Sequence, residues 1–159
     1  MTALQEFSTL AAQARDKIPR GEVDWSDSPF AWMRHHGPRT KSKLGRDIVQ
    51  AWFEARQTPF TESRNGVAHF KVAERHTIVH LALLSKEGVF EFAQLRAPGK
   101  GVDWMLLVGV EPHRARIWAV KPVDVVHLAT YGTDAPGLHH CSFDPDEPPA
   151  WLTQVASWE

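Results

Sequence analysis

The stretch Trp104–Val110, WMLLVGV, is a nearly continuous apolar run. A run of this kind is typical of a central strand that is covered on both of its faces. The residues 111–113, EPH, then favour a turn, and the sequence from Arg116 to Val120 is expected to return as the next strand. These segments place a sheet at the centre of the fold.

Further extended segments precede this run. Residues 67–72 alternate in polarity, and residues 77–84, TIVHLALL, are rich in β-branched and apolar side chains. Another strand is expected from Val89 to Arg96. The stretch 97–101, APGKG, has the composition of a loop.

Helical spacing and helix-start signals appear on both sides of the strands. Helices are therefore expected over residues 2–17, after Ser28-Pro29, from Thr40 to Arg56, after Pro122, and over the closing segment 148–158, PPAWLTQVASW. The expected fold is one α/β domain with a mixed central β-sheet flanked by helices. Within it, residues 1–28 form an N-terminal helix and connection, 29–128 the core, and 129–159 a loop-rich end with a short helix.

Composition restricts the class of protein. A chain of 159 residues is long enough for one core, and its single cysteine, Cys141, excludes an internal disulfide. A net charge of −1 does not favour a protein that coats nucleic acid, although a local basic face would be enough for binding. The N-terminal residues do not resemble a signal peptide, and no apolar run is long enough for a membrane span. A cytoplasmic protein without membrane contact is expected.

Several segments together resemble a bacterial branch of the PD-(D/E)xK nuclease superfamily, which contains restriction endonucleases. They are SPFAWMR from Ser28, residues 40–55, HTIVHLALLSKEGVFEFAQLR from His76, VDWMLLVGVEPHRARIWAVKP from Val102, and FDPDEPPAWL from Phe143. The most specific pieces are residues 92–96, FAQLR, which are similar to the family's F-Q-Q-I-R, and the hairpin VGVEP…IWAVKP. The resemblance implies a restriction-endonuclease-like core and a homodimer or heteromeric partner.

The chemistry of this superfamily needs carboxylates that hold Mg²⁺, and a lysine two residues after one of them on a strand. The family's K-x-G-E helix motif matches residues 43–46, so its carboxylate position is Arg46. The E-x-K strand matches residues 78–80, which places Ile78 and His80 at the two functional positions, and the upstream acidic position falls near His69. No Asp or Glu anywhere in the chain stands two residues before a lysine. The resemblance therefore implies a degenerate site, with no catalytic residue and no cofactor assigned.

Other groupings allow different chemistry. His69 and His80 are candidates for a transition-metal site, as are His139, His140 and Cys141, but hydrogen-bonded or surface histidines are the simpler explanation of both sets. Cys141 with a histidine is a conceivable nucleophilic pair that no surrounding motif supports. No metal is assigned from these patterns.

Basic residues gather at the start of the expected helix 40–56, where the helix dipole disfavours positive charge. An acidic partner such as a DNA phosphate would account for them, and so would a solvated helix face. The candidate DNA-binding residues are Arg39, Lys41, Lys43, Arg46, Gln94, Arg96 and Lys100.

Three hypotheses follow. In the first, the chain is an inactive nuclease-like protein that binds DNA or a partner subunit in a bacterial defence or DNA-processing system. In the second, it is an active, Mg²⁺-dependent nuclease with displaced ligands, drawing on Asp47, Glu74, Glu91 or Asp103. In the third, it is a structural subunit without nucleic-acid contact, which would expose an apolar patch around Trp25 and Trp158.

Overall fold

The computed structural model of the chain describes residues 2–16, 22–96, 101–126, 133–135 and 138–159. Three α-helices lie in these residues: α1 (Ala3–Asp16), α2 (Pro38–Ala55) and α3 (Pro122–Val126), with a 3-10 helix at Ala31–His35. The strands are β1 (Thr61–Glu62), β2 (Phe70–Val72), β3 (Arg75–Leu83), β4 (Phe90–Arg96), β5 (Trp104–Glu111), β6 (Arg114–Val120), β7 (Thr133–Ala135), β8 (Leu138–Phe143) and β9 (Thr153–Trp158). The expected strands 77–84, 104–110 and 116–120 are confirmed within two residues at each end.

Six strands form one sheet in the order β1-β2-β3-β5-β6-β9, and β4, β8 and β7 form a second sheet. In the six-stranded sheet β3 and β5 are parallel, while the other neighbours are antiparallel. The protein is thus a mixed α/β fold with a mixed sheet. β5 lies between β3 and β6, and its six inner residues are all buried, which agrees with its apolar sequence.

The two faces of the six-stranded sheet pack against different layers. Strand alternation places Ile78, Leu107 and Trp118 on one face, in a core shared with Phe90 of β4 and Phe143 of β8. The opposite face packs against α2 and the segment around Trp25 and Met33. The phenylalanines of β4 and β8 therefore cover the first face as a second sheet, while helix α2 flanks the other face.

Helix α2 begins two residues earlier than expected, at Pro38, which suits the first turn because proline has no backbone N–H to leave unpaired. Val49 and Phe53 form part of its buried face. Gly45 lies directly over β3, and a β-carbon placed on it would be 2.9 Å from the β-carbon of Leu81. The missing side chain therefore lets α2 approach the sheet closely.

The closing helix expected over residues 148–158 was wrong, because residues 153–158 form β9 and pair with β6. Without β9, β6 would present an open row of backbone hydrogen-bonding groups, and Thr153, Val155 and Trp158 are residue types that favour strands. The helix start at Ser28-Pro29 was also misplaced. The Ser28 hydroxyl accepts a hydrogen bond from the backbone N–H of Phe30, and the helical turn begins only after it.

Helix α1 forms where its periodicity predicted, but its apolar side chains are exposed. Leu4 is 78%, Phe7 67% and Leu10 55% exposed. Trp25 is buried, so it does not contribute to the apolar patch expected for a structural subunit, whereas Trp158 is 43% exposed. Among the described helices, none has the length and apolar character to cross a membrane.

Candidate functional site

A cleft of about 420 Å³ opens between the start of α2, the middle of β3 and the start of β4. We call it the β3 cleft, and its polar lining residues are Lys41, Ser42, His69, His80 and Glu91. It exists because β2 is short and pairs only with residues 75–77 of β3. Beyond Thr77 that edge of β3 has no strand partner among the described residues, and α2 and β4 flank it.

The structure brings three of the four degenerate positions together in this cleft. Ile78 and His80 are two residues apart on β3, so both lie on the face toward β4. His69 reaches the same cleft from the segment before β2. Arg46 lies in an adjoining hollow, which His69 also lines.

His69 takes the place of a strand partner at the open edge of β3. Its backbone N–H donates to the carbonyl oxygen of Thr77 at 3.0 Å. Its Nδ1 accepts a hydrogen bond from the backbone N–H of Val79, also at 3.0 Å. Because Nδ1 is the acceptor, the proton of the neutral ring is on Nε2.

The electrostatic surroundings keep the His69 ring neutral. Burial lowers the pKa of its imidazole, because a charged ring loses hydration, and the positive charge of Arg46 lowers it further. A neutral ring that has its proton on Nε2 is a hydrogen-bond donor at that atom. His69 therefore acts as a fixed donor and not as a proton acceptor near neutral pH.

The basic residues at the start of α2 do not form one surface. Lys41 is half-buried and lines the β3 cleft, whereas Arg39 is exposed. Lys43 and Arg46 both approach the carboxylate of Asp47, with nitrogen-to-oxygen distances of 3.7 and 3.6 Å. These exposed ion pairs add little stability, but Asp47 offsets part of the positive charge.

The remaining candidate DNA-binding residues are Gln94, Arg96 and Lys100. Gln94 and Arg96 belong to β4, but their side chains are outside the described part of the structure. Lys100 lies outside the described residues. Of the candidate DNA-binding residues whose side chains the structure describes, Lys41 is the one that lines the β3 cleft.

The carboxylates proposed as displaced metal ligands are dispersed. Asp47 faces Lys43 and Arg46, and Glu74 pairs with Lys71 at 3.0 Å. Asp103 accepts a hydrogen bond from the backbone N–H of His76 at 2.8 Å. Glu91 alone among the four lines the β3 cleft.

This donor set does not fit Mg²⁺. Mg²⁺ in proteins is held mainly by oxygen ligands, and the cleft combines one carboxylate with a lysine and two imidazoles. Over the described ranges, no group of three or more His, Cys, Asp or Glu side chains is arranged to hold a metal ion. The side chains that line the β3 cleft are therefore better suited to binding an anion than to holding Mg²⁺.

The pair His140-Cys141 does not form a ligand pair. Successive residues on a strand point to opposite faces, and accordingly His140 is exposed while Cys141 is buried in the core between the two sheets. The side chain of His139 lies outside the described part. A thiol buried in this way is not accessible as a nucleophile.

Two features of the site were missed from the sequence. Ser42 carries no motif, and it lines the cleft because it follows Lys41 on the first turns of α2. The bond between His69 and Val79 joins residues ten positions apart, and only the turn between β2 and β3 brings them together. Neither feature has a local sequence signal.

Comparisons with protein-family models, curated proteins and solved structures find no match to this chain. The PD-(D/E)xK assignment therefore stays a prediction from the quoted sequence segments.

Proposed function

We propose that the chain is a restriction-endonuclease-like protein that binds duplex DNA at the β3 cleft without cleaving it. One observation carries the proposal. His69, Ile78 and His80, the positions where the resemblance expects the metal-binding and lysine side chains, line a single cleft together with Lys41. A conventional metal-dependent site would have a cluster of carboxylates there, and Glu91 is the one carboxylate among the described lining residues.

The groups in the cleft are suited to a phosphate. The Lys41 ammonium supplies positive charge, and Nε2 of His69 and the hydroxyl of Ser42 supply hydrogen-bond donors. The start of α2 has no side-chain cap, so the backbone N–H groups of Arg39 and Thr40, which follow Pro38 in the first turn, are also available to an anion. Because the carboxylate of Glu91 on β4 repels an anion, we place the phosphate on the α2 side of the cleft.

The charge balance predicts weak binding that depends on salt. Each phosphate contact releases condensed counterions, so affinity falls as the salt concentration rises. Lys41 is the cation that lines the cleft, while Lys43 and Arg46 share Asp47. A chain with a net charge of −1 gains little from long-range attraction to DNA.

The experiment is a titration of labelled duplex DNA with the full chain, followed by fluorescence anisotropy for binding and by denaturing gel for cleavage. It is run with Mg²⁺, with Mn²⁺ and with a chelator, each at two salt concentrations. We expect binding without cleavage in every condition. Lys41→Glu should weaken binding by roughly tenfold, whereas Lys86→Glu, which changes an exposed lysine in the turn between β3 and β4, should not.

Three results would contradict the proposal. Metal-dependent cleavage that Glu91→Gln abolishes would support an active nuclease with displaced ligands. Equal loss of affinity in both charge-reversal variants would mean that the cleft is not the binding surface. Absence of both binding and cleavage would favour a subunit that contacts protein only.

A further inference from the structure

Helix α1 presents an apolar stripe to solvent. Its three large apolar side chains, Leu4, Phe7 and Leu10, are three residues apart and lie on one face of the helix. Every residue from 2 to 14 is exposed. A helix of 14 residues is only marginally stable in water on its own, so α1 needs a surface to pack against.

A second apolar surface lies on the α2 side of the six-stranded sheet. It is a groove of about 380 Å³ at the end of α2, and we call it the Trp52 groove. Its walls include Trp52 of α2, Trp104 and Leu106 of β5, Ala119 of β6 and Val155 of β9. The groove is open because the sheet extends through β6 and β9 beyond the strand that α2 covers.

We propose that α1 of a second copy of this chain docks in the Trp52 groove, and that the exchange is reciprocal. The two surfaces match in chemistry, since one is an apolar stripe and the other an apolar groove. They also match in size. The apolar stripe from Leu4 to Leu10 extends about 9 Å along the helix, and the three neighbouring strands β5, β6 and β9 span roughly 10 Å across. Reciprocal exchange gives a twofold dimer, the commonest symmetric assembly.

Charges at the border of each surface are complementary. Arg75 and Lys121 lie over the ring of Trp104, at 5.8 and 5.2 Å from its centroid, so two cations stand at one side of the groove. None of the described residues that line the groove is acidic. On α1, Glu6 is four residues before Leu10 and borders the apolar stripe. The docked helix therefore has its Glu6 side toward Arg75 and Lys121.

Within one copy the two surfaces do not meet. Residues 3–14 of α1 are all exposed, and the Trp52 groove is open. The segment after α1 is attached beyond the end of β3, where the backbone N–H of Val23 donates to the carbonyl oxygen of Lys86. We therefore assign the groove to α1 of a second copy.

The dimer and the β3 cleft use different parts of the molecule. The groove is formed by residues near the C-terminal end of α2, such as Trp52, whereas the cleft is lined by Lys41 and Ser42 near its N-terminal end. The proposed dimer therefore leaves the cleft open. It also stands independently of DNA binding, and either proposal can fail without the other.

The first test is sedimentation velocity on the full chain over a wide concentration range. The unmodified protein should shift from monomer to dimer as concentration rises. Phe7→Glu should raise the dissociation constant by roughly tenfold or more. Val123→Glu, which alters an exposed apolar position on α3, should leave the dimer unchanged. A monomer at all concentrations, or a dimer insensitive to Phe7→Glu, would overturn the proposal.

The second test distinguishes exchange between copies from docking within one copy. Val155→Glu places a charge in the groove and should also weaken the dimer, with folding checked by circular dichroism. Mixing Phe7→Glu with Val155→Glu should restore association, because the mixed dimer keeps one intact helix in one intact groove. If the mixture stays monomeric, α1 does not dock in a second copy. The charge exchange Glu6→Arg with Arg75→Glu should likewise recover the dimer that each single change weakens.

Discussion

Nδ1 of His69 accepts a hydrogen bond from the backbone N–H of Val79 at 3.0 Å, so a side chain completes the hydrogen bonding of β3 where β2 ends. Protonation of Nδ1 would remove this acceptor. The bond therefore couples the protonation of the ring to the structure of the cleft edge.

The pH dependence of stability should reflect this coupling. The pKa of His69 is lowered in the folded protein from its ordinary value of 6.5, by burial and by Arg46. As the pH falls below that value, the unfolded chain binds the proton first, so the free energy of unfolding decreases until the pH passes the folded pKa. At higher pH His69 is neutral in both the folded and the unfolded state, so it does not change the free energy of unfolding with pH. Urea unfolding between pH 8 and 5 should show a smaller decrease for His69→Gln than for the unmodified protein.

The matched control is His113→Gln, which replaces an exposed histidine whose Nε2 lies 3.3 Å from Asp27. The His113→Gln variant should lose stability at low pH as steeply as the unmodified protein does. Identical pH profiles for the unmodified protein and His69→Gln would show that the His69 pKa does not differ between the folded and unfolded states.

Removal of the Arg46 charge should raise the pKa of His69. Burial is the larger cause of the lowered pKa and stays in place, so the increase should be only partial. The measurement is a titration of the His69 ring Cε1–H signal by NMR in the unmodified protein and in Arg46→Gln. Lys43→Gln serves as the control, because Lys43 also lies near Asp47 but does not contribute to the His69 shift. A pKa that falls or stays constant in Arg46→Gln would contradict the electrostatic account.

Gly45→Ala should destabilise the protein although alanine is the better helix former. The propensity gain is about 1 kcal/mol. The new β-carbon would be 2.9 Å from the β-carbon of Leu81, which is fixed to the strand and cannot rotate away. Overpacking of this kind costs about 1–3 kcal/mol, so we expect a net loss measured by urea unfolding.

Gly37→Ala is the control for this substitution. Gly37 precedes the same helix, has a negative φ of −75°, and has no atom within 4 Å of a β-carbon placed on it. Its replacement should change stability by less than about 1 kcal/mol. A stabilised Gly45→Ala variant would mean that α2 moves away from β3 at little cost.

Arg116→Met should weaken the attachment of the segment before β9. Arg116 is 7% exposed, and its guanidinium donates to the carbonyl oxygen of Pro145 at 2.7 Å. Glu111 would keep its two hydrogen bonds from Arg114, at 2.7 and 2.9 Å, so the main loss is the partner of the Pro145 carbonyl. An unsatisfied buried group costs about 1–3 kcal/mol. Hydrogen exchange should show faster opening of β9 in Arg116→Met, and unchanged exchange there would contradict this role.

The sequence by itself determined the local character of the central elements. The apolar run at residues 104–110 and the β-rich stretch at 77–84 form adjacent strands, and the helical spacing after Pro38 forms α2. Each pattern shows which side chains of a helix or strand are apolar and will be buried. The spacing of those side chains depends on the element itself and is the same in any fold that buries that face. The sequence also showed that Arg46, Ile78 and His80 differ from the residues that the PD-(D/E)xK motifs have at these positions.

Only the tertiary structure decided which surfaces meet. The closing segment forms β9 because the edge of β6 is open to it, and β4 and β8 cover one face of the six-stranded sheet as a second sheet. The meeting of Lys41, His69 and His80 in one cleft depends on the short β2 and on the close approach of α2 at Gly45. These outcomes depend on pairing and packing between residues far apart in the chain, and local periodicity carries no information about them.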